Sequence, residues 1–378
     1  MEFTVSQQDR EWLEQTKEKL LGKLSAEARR TGGKIVYIPK DGRYEDLATP
    51  TGVYWWCNGF WPGMLWQAYH ASKDETFRKA AETIEERLDK AFEGYEGLHH
   101  DVGFMYTLSA LADYRLTGNT DSRRRALHAA NLLAGRYNAR AKFIRAWNGD
   151  RTGWTIADTM MNLPLLYWAS RELGDPRFTY IAQDHADTCA RVTVREDGSS
   201  YHISILDPLT GEVIDRPSGQ GYSPDSAWSR GQAWIVYGYA LSARHTGEKR
   251  YLDIAKKAAH YFIANLALTG WLPLCDFQAP EEPLIYDASA GACAACGLLE
   301  LAEQVGEYEK ALYQKAAWNI LKAMEQKFCC WDPDVDGILG YSSKAYHDQK
   351  ERETSIIYGD YFFTEAIFRL SGKAFPIW

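Results

Sequence analysis

Two aspartates stand where a carboxylate could exchange a proton with a substrate. Asp101 lies in His-His-Asp-Val-Gly-Phe, and Asp158 closes Gly-Trp-Thr-Ile-Ala-Asp. Each precedes an apolar stretch typical of a helix, 105–111 after the first and 160–168 after the second. Because such a carboxylate lies between water and an apolar interior, its pKa can be tuned for proton transfer. The chain also contains 14 Trp and 23 Tyr, and paired acids with many aromatic side chains indicate carbohydrate chemistry.

Each aspartate has a purely structural alternative. Asp at the start of a helix is a common N-cap, and for either residue alone this interpretation is at least as good as catalysis. Two such positions on loops at the same end of the molecule favour catalysis, and one residue can serve both purposes.

A metal site is the competing interpretation of His99, His100 and Asp101. Adjacent side chains in an extended segment point to opposite faces, so two neighbouring histidines rarely bind one ion. We therefore predict that no metal binds here. The sequence has no glycine-rich phosphate loop, serine-nucleophile motif or His-Glu-x-x-His helix, and no cofactor is predicted.

Indole side chains cluster just before one apolar helix. The segment 55–61 contains three tryptophans within seven residues. Most of them are expected to pack in the core or at its rim, while one that faces a pocket would stack on a sugar ring. Trp147 and Trp234 are further candidates for such stacking.

Arg230 lies between Trp228 and Trp234 at the start of another apolar helix. A lone surface arginine is usually solvated. An arginine flanked by two indoles, in the same loop system as His202 and Gln220, can instead form a bidentate clamp on a carboxylate or on sugar hydroxyls. These side chains are therefore candidate polar contacts for a sugar.

A loose internal repeat predicts the elements that position these residues. An apolar, aromatic-rich helix ends in a short turn, and a more charged helix follows. The apolar members are expected at 63–72, 106–116, 163–173, 233–245, 294–305 and 361–370, and their charged partners at 76–92, 122–137, 178–192, 251–266, 309–328 and 6–24. Six apolar and six amphipathic helices predict an all-α fold, a single (α/α)6 barrel spanning residues 1–378.

Long aromatic loops precede the apolar helices and are expected to line a pocket at one end of the barrel. Within one of them, residues 200–206 alternate, Asp-Pro-Leu-Thr-Gly forms a turn signal, and 212–215 returns. This pattern predicts a small β-hairpin in the pocket loops.

Composition narrows the class of protein. The formal net charge is 43 − 51 = −8, without clustered basic residues, which argues against a nucleic-acid partner. Residues 1–20 lack the apolar core of a signal peptide, and no stretch is long and apolar enough for a membrane span. Seven cysteines without framework spacing predict a reducing compartment, the cytoplasm. No pattern indicates an oligomeric state.

The ordered motifs between residues 56 and 360 resemble the unsaturated glucuronyl hydrolases, family 88 of the glycoside hydrolases. Any one motif is weak, but the ordered set is specific. The motifs are Asn58-Gly-Phe-Trp61, His99-His-Asp-Val-Gly-Phe104, Ala146-Trp147, Asp158-x-x-x-Asn162-Leu-Pro-Leu-Leu166, Ser199-Ser-Tyr-His202, Arg230-Gly-Gln-Ala-Trp234, Ala294-Ala-Cys-Gly-Leu-Leu-Glu300 and Gly359-Asp-Tyr361.

The resemblance implies an (α/α)6 barrel that releases an unsaturated uronic acid from the non-reducing end of small, lyase-generated oligosaccharides. The enzyme would hydrate the C4=C5 vinyl ether of the terminal sugar. The catalytic pair falls on Asp101 and Asp158. Asp158 would protonate C4 and help to deprotonate the water that adds at C5, while Asp101 would hold hydroxyls and support the oxocarbenium-like charge. The resulting hemiketal opens and expels the remaining sugar.

The resemblance also implies a set of substrate contacts. Indoles would stack on the sugar, and polar side chains would bind its hydroxyl and carboxylate groups. The expected substrate-binding residues are Trp56, His100, Trp147, His202, Gln220, Arg230 and Trp234.

Two departures from the family pattern concern charge. Many members have Asp where Asn58 stands. Members that prefer sulfated substrates carry Ser-x-x-Ser-x-Lys shortly before Gly-Asp-Tyr, where an ungapped count gives Ala345, Asp348 and Lys350 here. Because Asp348 would repel a sulfate, this chain is not expected to prefer sulfated sugars.

Three alternatives remain open at this stage. An unsaturated rhamnogalacturonyl hydrolase would share the fold and the chemistry. An ordinary inverting glycosidase on the same barrel would need two carboxyl groups about 6.5–9.5 Å apart around a water. A sugar-binding barrel without turnover would need neither aspartate.

Overall fold

Twelve long helices dominate the computed structural model, which describes residues 5–378. The inner helices are Phe60–Ser72, 102–117, Leu163–Leu173, Ser229–Thr246, Ala288–Ala302 and Ile357–Leu370. The outer helices are Gln7–Thr31, Glu75–Glu93, Thr120–Ala134, Arg177–Val192, Lys249–Leu268 and Glu307–Phe328. Each inner helix contacts the next one along the chain and the sixth contacts the first, so the inner ring closes. The predicted (α/α)6 barrel with its small β-elements is confirmed.

Burial separates the two sets of helices. Every residue of Ala288–Ala302 is buried, whereas Glu75–Glu93 buries one face and exposes the other. Neighbouring inner helices pack closely against each other because small residues lie on the faces where they meet. At Gly297, for example, a β-carbon would lie 3.0 Å from the backbone of Tyr237. The pattern of apolar and amphipathic helices therefore determines which helix lies inside.

Short turns join each inner helix to its outer partner. Gly118 ends one inner helix with φ +79°, a left-handed conformation that glycine adopts without strain. Asn119 then caps the following outer helix by accepting from the backbone N–H groups of Asp121 and Ser122. These turns leave the opposite ends of the inner helices free to carry the long loops.

A three-stranded antiparallel sheet decorates that loop-bearing end. Strands Ile203–Leu206 and Val213–Asp215 form the predicted hairpin. Strand Trp154–Ile156 pairs with the first of them, with Trp154 opposite Ile205, and was not expected from the sequence. A second, two-stranded sheet pairs Tyr137–Asn138 with Phe143–Ile144.

The helix 102–117 is interrupted where it passes below the loops. It consists of Val102–Tyr106, a π-helical segment Thr107–Leu111, and Ala112–Thr117. Such π segments widen a helix locally and often accompany functional sites. Among the described residues, none of the helices combines the length and the apolar character that crossing a membrane requires.

Candidate active site

A cavity of about 310 Å³ opens among the loops that lead into the inner helices. This volume lies at the lower end of the range for small-molecule sites. It is lined by Trp55, Trp56, His99, Asp101, Trp147, Ile156, Asp158, His202, Ile203, Gly219, Gln220 and Lys344. The structure therefore brings together both expected catalytic aspartates and four of the seven expected substrate contacts.

Asp101 occupies the N-cap position of the helix 102–117, yet its side chain makes no capping hydrogen bond. Its Oδ1 accepts from Asn162 Nδ2 at 3.0 Å. Its Oδ2 lies 3.3 Å from His99 Nδ1 and 3.3 Å from His100 Nε2. The carboxylate is 7% exposed and faces the cavity, so the capping interpretation does not explain its position.

The surroundings of Asp101 keep it ionised. Burial alone would raise the pKa of Asp101, but His100, His99 and the hydrogen bond from Asn162 together lower it to about 2. Burial lowers the pKa of His99 to about 4 even though Asp101 opposes this change. At neutral pH the pocket therefore holds an Asp101 anion beside a neutral His99 imidazole.

Asp158 lies in a 3₁₀ turn, Ala157–Met161, just before the inner helix Leu163–Leu173. Neither element is capped by its side chain. Its Oδ2 is buried, has no hydrogen-bond partner among the described residues, and lies 3.5 Å from His202 Nε2. Asp158 lines the cavity, and an oxygen without a hydrogen-bond donor leaves its carboxylate available for proton transfer.

The three-stranded sheet places His202 against Asp158. The backbone N–H of Ala157 donates to the carbonyl of His202 at 3.0 Å, next to the paired strands. His202 Nδ1 accepts from the backbone N–H of Gln220 at 3.0 Å, so a neutral ring carries its proton on Nε2. This nitrogen lies 3.5 Å from Asp158 Oδ2, without a hydrogen bond between them.

Gly219 makes this arrangement possible. A β-carbon at residue 219 would lie 1.9 Å from His202 Nδ1, closer than any real contact. The loop can therefore pass over the imidazole only with glycine here, and the next residue, Gln220, donates its N–H to the ring. The sequence signal for this requirement is a lone glycine next to an expected contact residue.

Indoles form the walls of the cavity. Half-buried Trp56 is held by stacking on Tyr358, with ring centroids 5.1 Å apart and 26° between the planes. Half-buried Trp147 packs against Trp154 at 5.6 Å, and the Arg151 guanidinium lies 5.1 Å from both rings. Two of the three expected stacking platforms, Trp56 and Trp147, are therefore held by neighbouring side chains.

Arg230 does not reach the cavity. It is 1% exposed, pairs with the buried carboxylate of Asp287, and donates to the backbone carbonyls of Ser343 at 2.6 Å and Lys344 at 2.5 Å. Gln220 Nε2 donates to the same Lys344 carbonyl at 2.5 Å. No contact here tests the predicted clamp on a substrate carboxylate, which stays a prediction. Arg230 instead fixes the segment that carries Lys344 into the cavity wall.

Trp234 and His100 are also withdrawn from the cavity. Trp234 is fully buried between Phe104 and Phe362, at 5.4 Å from each ring, and its predicted stacking on a sugar stays a prediction. His100 is fully buried behind Asp101, and its Nδ1 lies 2.9 Å from the Thr159 hydroxyl. Both side chains are therefore buried in the protein interior and do not line the cavity.

The geometric argument against a metal at His99, His100 and Asp101 is wrong. These residues form a turn rather than an extended segment, and one ligand atom of each lies within 4.8 Å of the others. The group has the composition and the spacing of a metal site, and the absence of a metal stays a prediction.

Sequence reasoning missed several residues of the cavity lining. Trp55 belongs to the same tryptophan cluster as Trp56, and nothing in the sequence singles out Lys344. The Lys344 ammonium lies 2.6 Å from Glu351, 3.8 Å from Asp348 and 5.7 Å from the centre of the Trp55 ring. Its position depends on the path of a long loop, which has no local signature.

Comparison with known proteins identifies the family. A family model described as Glycosyl Hydrolase Family 88 matches residues 28–341. The chain belongs to this family. It is 38% identical over 335 residues to the unsaturated glucuronyl hydrolase of Bacillus sp. (strain GL1). This alignment covers 85% of this chain and 88% of the relative.

A second relative and a crystal structure are also similar to this chain over most of their length. The unsaturated chondroitin disaccharide hydrolase of Streptococcus pyogenes serotype M1 is 34% identical over 85% of this chain and 83% of its own length. The crystal structure of the Bacillus sp. GL1 unsaturated glucuronyl hydrolase, responsible for the degradation of glycosaminoglycan, superposes with a TM-score of 0.89. It covers 95% of this chain and 96% of that chain at 34% sequence identity.

Proposed function

We propose that the protein removes a 4,5-unsaturated uronic acid from the non-reducing end of small glycosaminoglycan-type oligosaccharides, using Asp158 and Asp101. Family membership makes the protein a glycoside hydrolase, and the relatives act on unsaturated glucuronyl or chondroitin disaccharides. The observation that carries the assignment of residues is the Asp158 Oδ2 atom. This atom is buried without a hydrogen-bond partner among the described residues, and Asp158 lines the same cavity as Asp101.

In the proposed reaction, the Asp158 carboxyl group transfers a proton to C4 of the terminal sugar. The positive charge that develops at C5 is shared with the ring oxygen. Water then adds at C5 and gives a proton to the Asp158 carboxylate, which restores the acid. The hemiketal opens at the bond between C5 and the ring oxygen, and the resulting hemiacetal at C1 releases the second sugar.

Asp101 and His202 have separate functions in this scheme. Asp101 is an anion at neutral pH because its pKa is about 2, and an anion fixed beside the cavity stabilises an oxocarbenium-like centre. The His202 Nε2–H group lies 3.5 Å from Asp158 and orients that carboxylate. The indoles of Trp56 and Trp147 supply apolar faces for the sugar ring.

The charges on the cavity wall favour unsulfated substrates. Lys344 lines the cavity, but Glu351 and Asp348 lie 2.6 Å and 3.8 Å from its ammonium and offset its charge. An added sulfate would therefore meet two carboxylates as well as one ammonium. We propose that an unsulfated unsaturated disaccharide is preferred.

A panel of unsaturated disaccharides tests this function. The ultraviolet absorbance of the conjugated double bond should be lost with chondroitin- and hyaluronan-type products, and more slowly with sulfated ones. Saturated disaccharides of the same sugars serve as the control and should stay intact. Faster turnover of pectin-derived disaccharides would favour a rhamnogalacturonyl hydrolase, and equal cleavage of saturated sugars would favour an ordinary glycosidase.

We also propose the cytoplasm as the compartment. All seven cysteines are free, and reduced thiols are typical of cytoplasmic proteins. Activity recovered only from the soluble cell lysate would support this, and activity in the culture medium of intact cells would contradict it.

A further inference from the structure

Asn162 touches both halves of the catalytic pair. Its Nδ2 donates to Asp101 Oδ1 at 3.0 Å and to the backbone carbonyl of Asp158 at 3.3 Å. Its Oδ1 accepts from the backbone N–H of Phe104 at 2.7 Å. The N–H donor of Phe104 assigns the carbonyl end of the amide, so the NH₂ group must face the two aspartates. Asn162 is fully buried and uses both ends of its amide.

Asn162 makes these bonds in place of the one expected at its position. It is the N-cap residue of the inner helix Leu163–Leu173, yet its side chain does not cap that helix. Asparagine at an N-cap normally accepts from the next turn, and this contact stabilises the helix. The side chain instead crosses to the turn that carries Asp101.

A second contact between the same two turns holds the other oxygen of Asp101. His100 Nε2 lies 3.3 Å from Asp101 Oδ2, and His100 Nδ1 lies 2.9 Å from the hydroxyl of Thr159, the residue after Asp158. The turns that carry Asp101 and Asp158 are therefore joined by two side-chain contacts, Asn162 to Asp101 and His100 to Thr159.

Gly103 allows the approach. A β-carbon at residue 103 would lie 2.4 Å from Asn162 Oδ1 and 2.6 Å from Asn162 Cα. The glycine of the motif His-His-Asp-Val-Gly is therefore required for the contact between the two turns. Motifs that are 58 residues apart along the chain meet at this one amide.

We propose that Asn162 is a positioning residue that holds the Asp101 carboxylate and the Asp158 turn in one fixed geometry. This inference rests on the proposed function of the two aspartates. Because the preserved geometry concerns the reacting groups rather than the sugar-binding walls, loss of Asn162 should lower kcat and leave KM nearly unchanged.

The charge state of Asp101 supplies an independent readout. The titratable or charged groups that act on Asp101 are His99 and His100 beside it, Cys57 from the turn before the first inner helix, and Arg136 after an outer helix. The hydrogen bond from Asn162 is one of the contacts that lower the pKa of Asp101. Its removal should raise this pKa.

The test compares Asn162→Asp with Asn138→Ala. The Asn162→Asp side chain keeps an acceptor for the Phe104 N–H but replaces the donor with a second carboxylate. Asn138 is a matched control, because its amide also accepts from backbone N–H groups and donates to a carbonyl, that of Pro208, and it does not line the cavity. We expect kcat to fall about 10- to 100-fold in Asn162→Asp, with KM changed less than about threefold, and no change in Asn138→Ala.

Carboxyl-carbon NMR titration of Asp101 completes the test without any substrate. A higher pKa for Asp101 in Asn162→Asp, together with the loss of kcat, supports the positioning role. An unchanged pKa with unchanged kcat overturns it, as does a fall in melting temperature with full activity in the folded fraction. If wild-type protein does not turn over unsaturated disaccharides, the proposed function fails, and the titration still decides whether Asn162 controls Asp101.

Discussion

The cavities at the two ends of the barrel differ in the partners of their acidic side chains. At the carboxyl ends of the inner helices, a cavity of about 320 Å³ is lined by Tyr237, Arg244, Glu303, Glu365, Arg369 and Trp378, among others. Buried Glu300 pairs there with Arg244 and, at 2.8 Å, with Arg369. Glu365 accepts from the Trp378 indole at 2.8 Å and lies 3.6 Å from Arg369. Glu300 and Glu365 therefore each have an arginine beside them.

At the amino ends of the inner helices, the cavity has nearly the same volume but different electrostatics. Asp101 is held by an amide and by imidazoles, one of which has a pKa of about 4. Asp158 faces His202 at 3.5 Å and has an oxygen without a hydrogen-bond partner among the described residues. Cavity size therefore does not distinguish the two ends. The partners of the carboxylates distinguish the two cavities. Glu300 and Glu365 lie beside an arginine and stabilise the ring of inner helices, whereas the nearest ionisable partners of Asp101 and Asp158 are histidines, so these acids can react.

The largest expected difference between the ends is catalytic. Asp158→Asn and Asp101→Asn should each lower kcat about 10²- to 10⁴-fold, because neither amide can exchange a proton or carry the negative charge. Glu303→Gln, at the other end, should keep wild-type turnover. Steady-state assays with an unsaturated disaccharide, with circular dichroism to confirm folding, measure this. Retained activity in Asp158→Asn would remove it from the acid–base role.

The next effect is on stability rather than on turnover, and it is expected at the carboxyl ends of the inner helices. Arg369→Ala should destabilise the protein by about 3 kcal/mol, because it leaves the buried Glu300 carboxylate with one cation fewer. Denaturant unfolding followed by fluorescence measures the change. The folded fraction should turn over substrate at the wild-type rate. A loss of kcat without a loss of stability would show that the two ends are not separate.

Gly219→Ala should damage the site while leaving the barrel intact. The new β-carbon must displace the His202 ring, which orients Asp158, and a shift of about 1 Å near reacting groups can cost about 100-fold in rate. Gly118→Ala, in an outer turn with open space around it, is the matched control for activity. Equal kcat in the two variants would contradict the proposed role of His202.

The tryptophans separate binding from packing. Trp56→Ala and Trp147→Ala should raise KM about two- to tenfold, the usual contribution of aromatic stacking. Because Trp234 is fully buried, Trp234→Phe should lower the melting temperature and leave KM unchanged. Measuring KM and melting temperature for all three variants checks the assignment. A raised KM in Trp234→Phe at full stability would return this residue to the binding surface.

The dependence of stability on pH supplies the last test of the cavity at the amino ends. The pKa of Asp101 is about 2 in the folded protein and about 3.9 in an unfolded chain. Its contacts therefore stabilise the fold by about 2 kcal/mol above pH 4, and this contribution is lost as the pH falls toward 2. The difference in unfolding free energy between wild type and Asp101→Asn should shrink over that interval. A constant difference would mean that Asp101 titrates normally.

The helical framework could be predicted from local pattern. The expected helix 163–173 and the observed Leu163–Leu173 coincide, and the other helices agree to within a few residues at most of their ends. The helix expected to reach residue 137 ends at Ala134, because Tyr137 pairs with Ile144 in a short sheet. Such two- and three-residue strands depend on a partner elsewhere in the chain and leave no periodicity to detect.

The candidate site could be predicted only in part. Motif position identified Asp101 and Asp158, since each stands before an inner helix. Motif position could not distinguish Trp234 and Arg230 from pocket residues, because the first turns of an inner helix can face either the cavity or the ring of helices. The position of Lys344 could not be predicted because the path of its loop depends on residues elsewhere in the chain. Asp360, for example, accepts from the backbone N–H groups of Ile338 and Leu339 at the start of this loop.

Proton delivery to an alkene carbon is the central claim, and proton NMR in D₂O tests it most directly. With an unsaturated disaccharide, the vinyl H4 signal should disappear at the rate at which the second sugar is released. One deuterium should appear at C4, added to a single face. Asp158→Asn should show neither change. A released uronic acid that still carries its vinyl proton would mean direct cleavage of the glycosidic bond and would contradict the account.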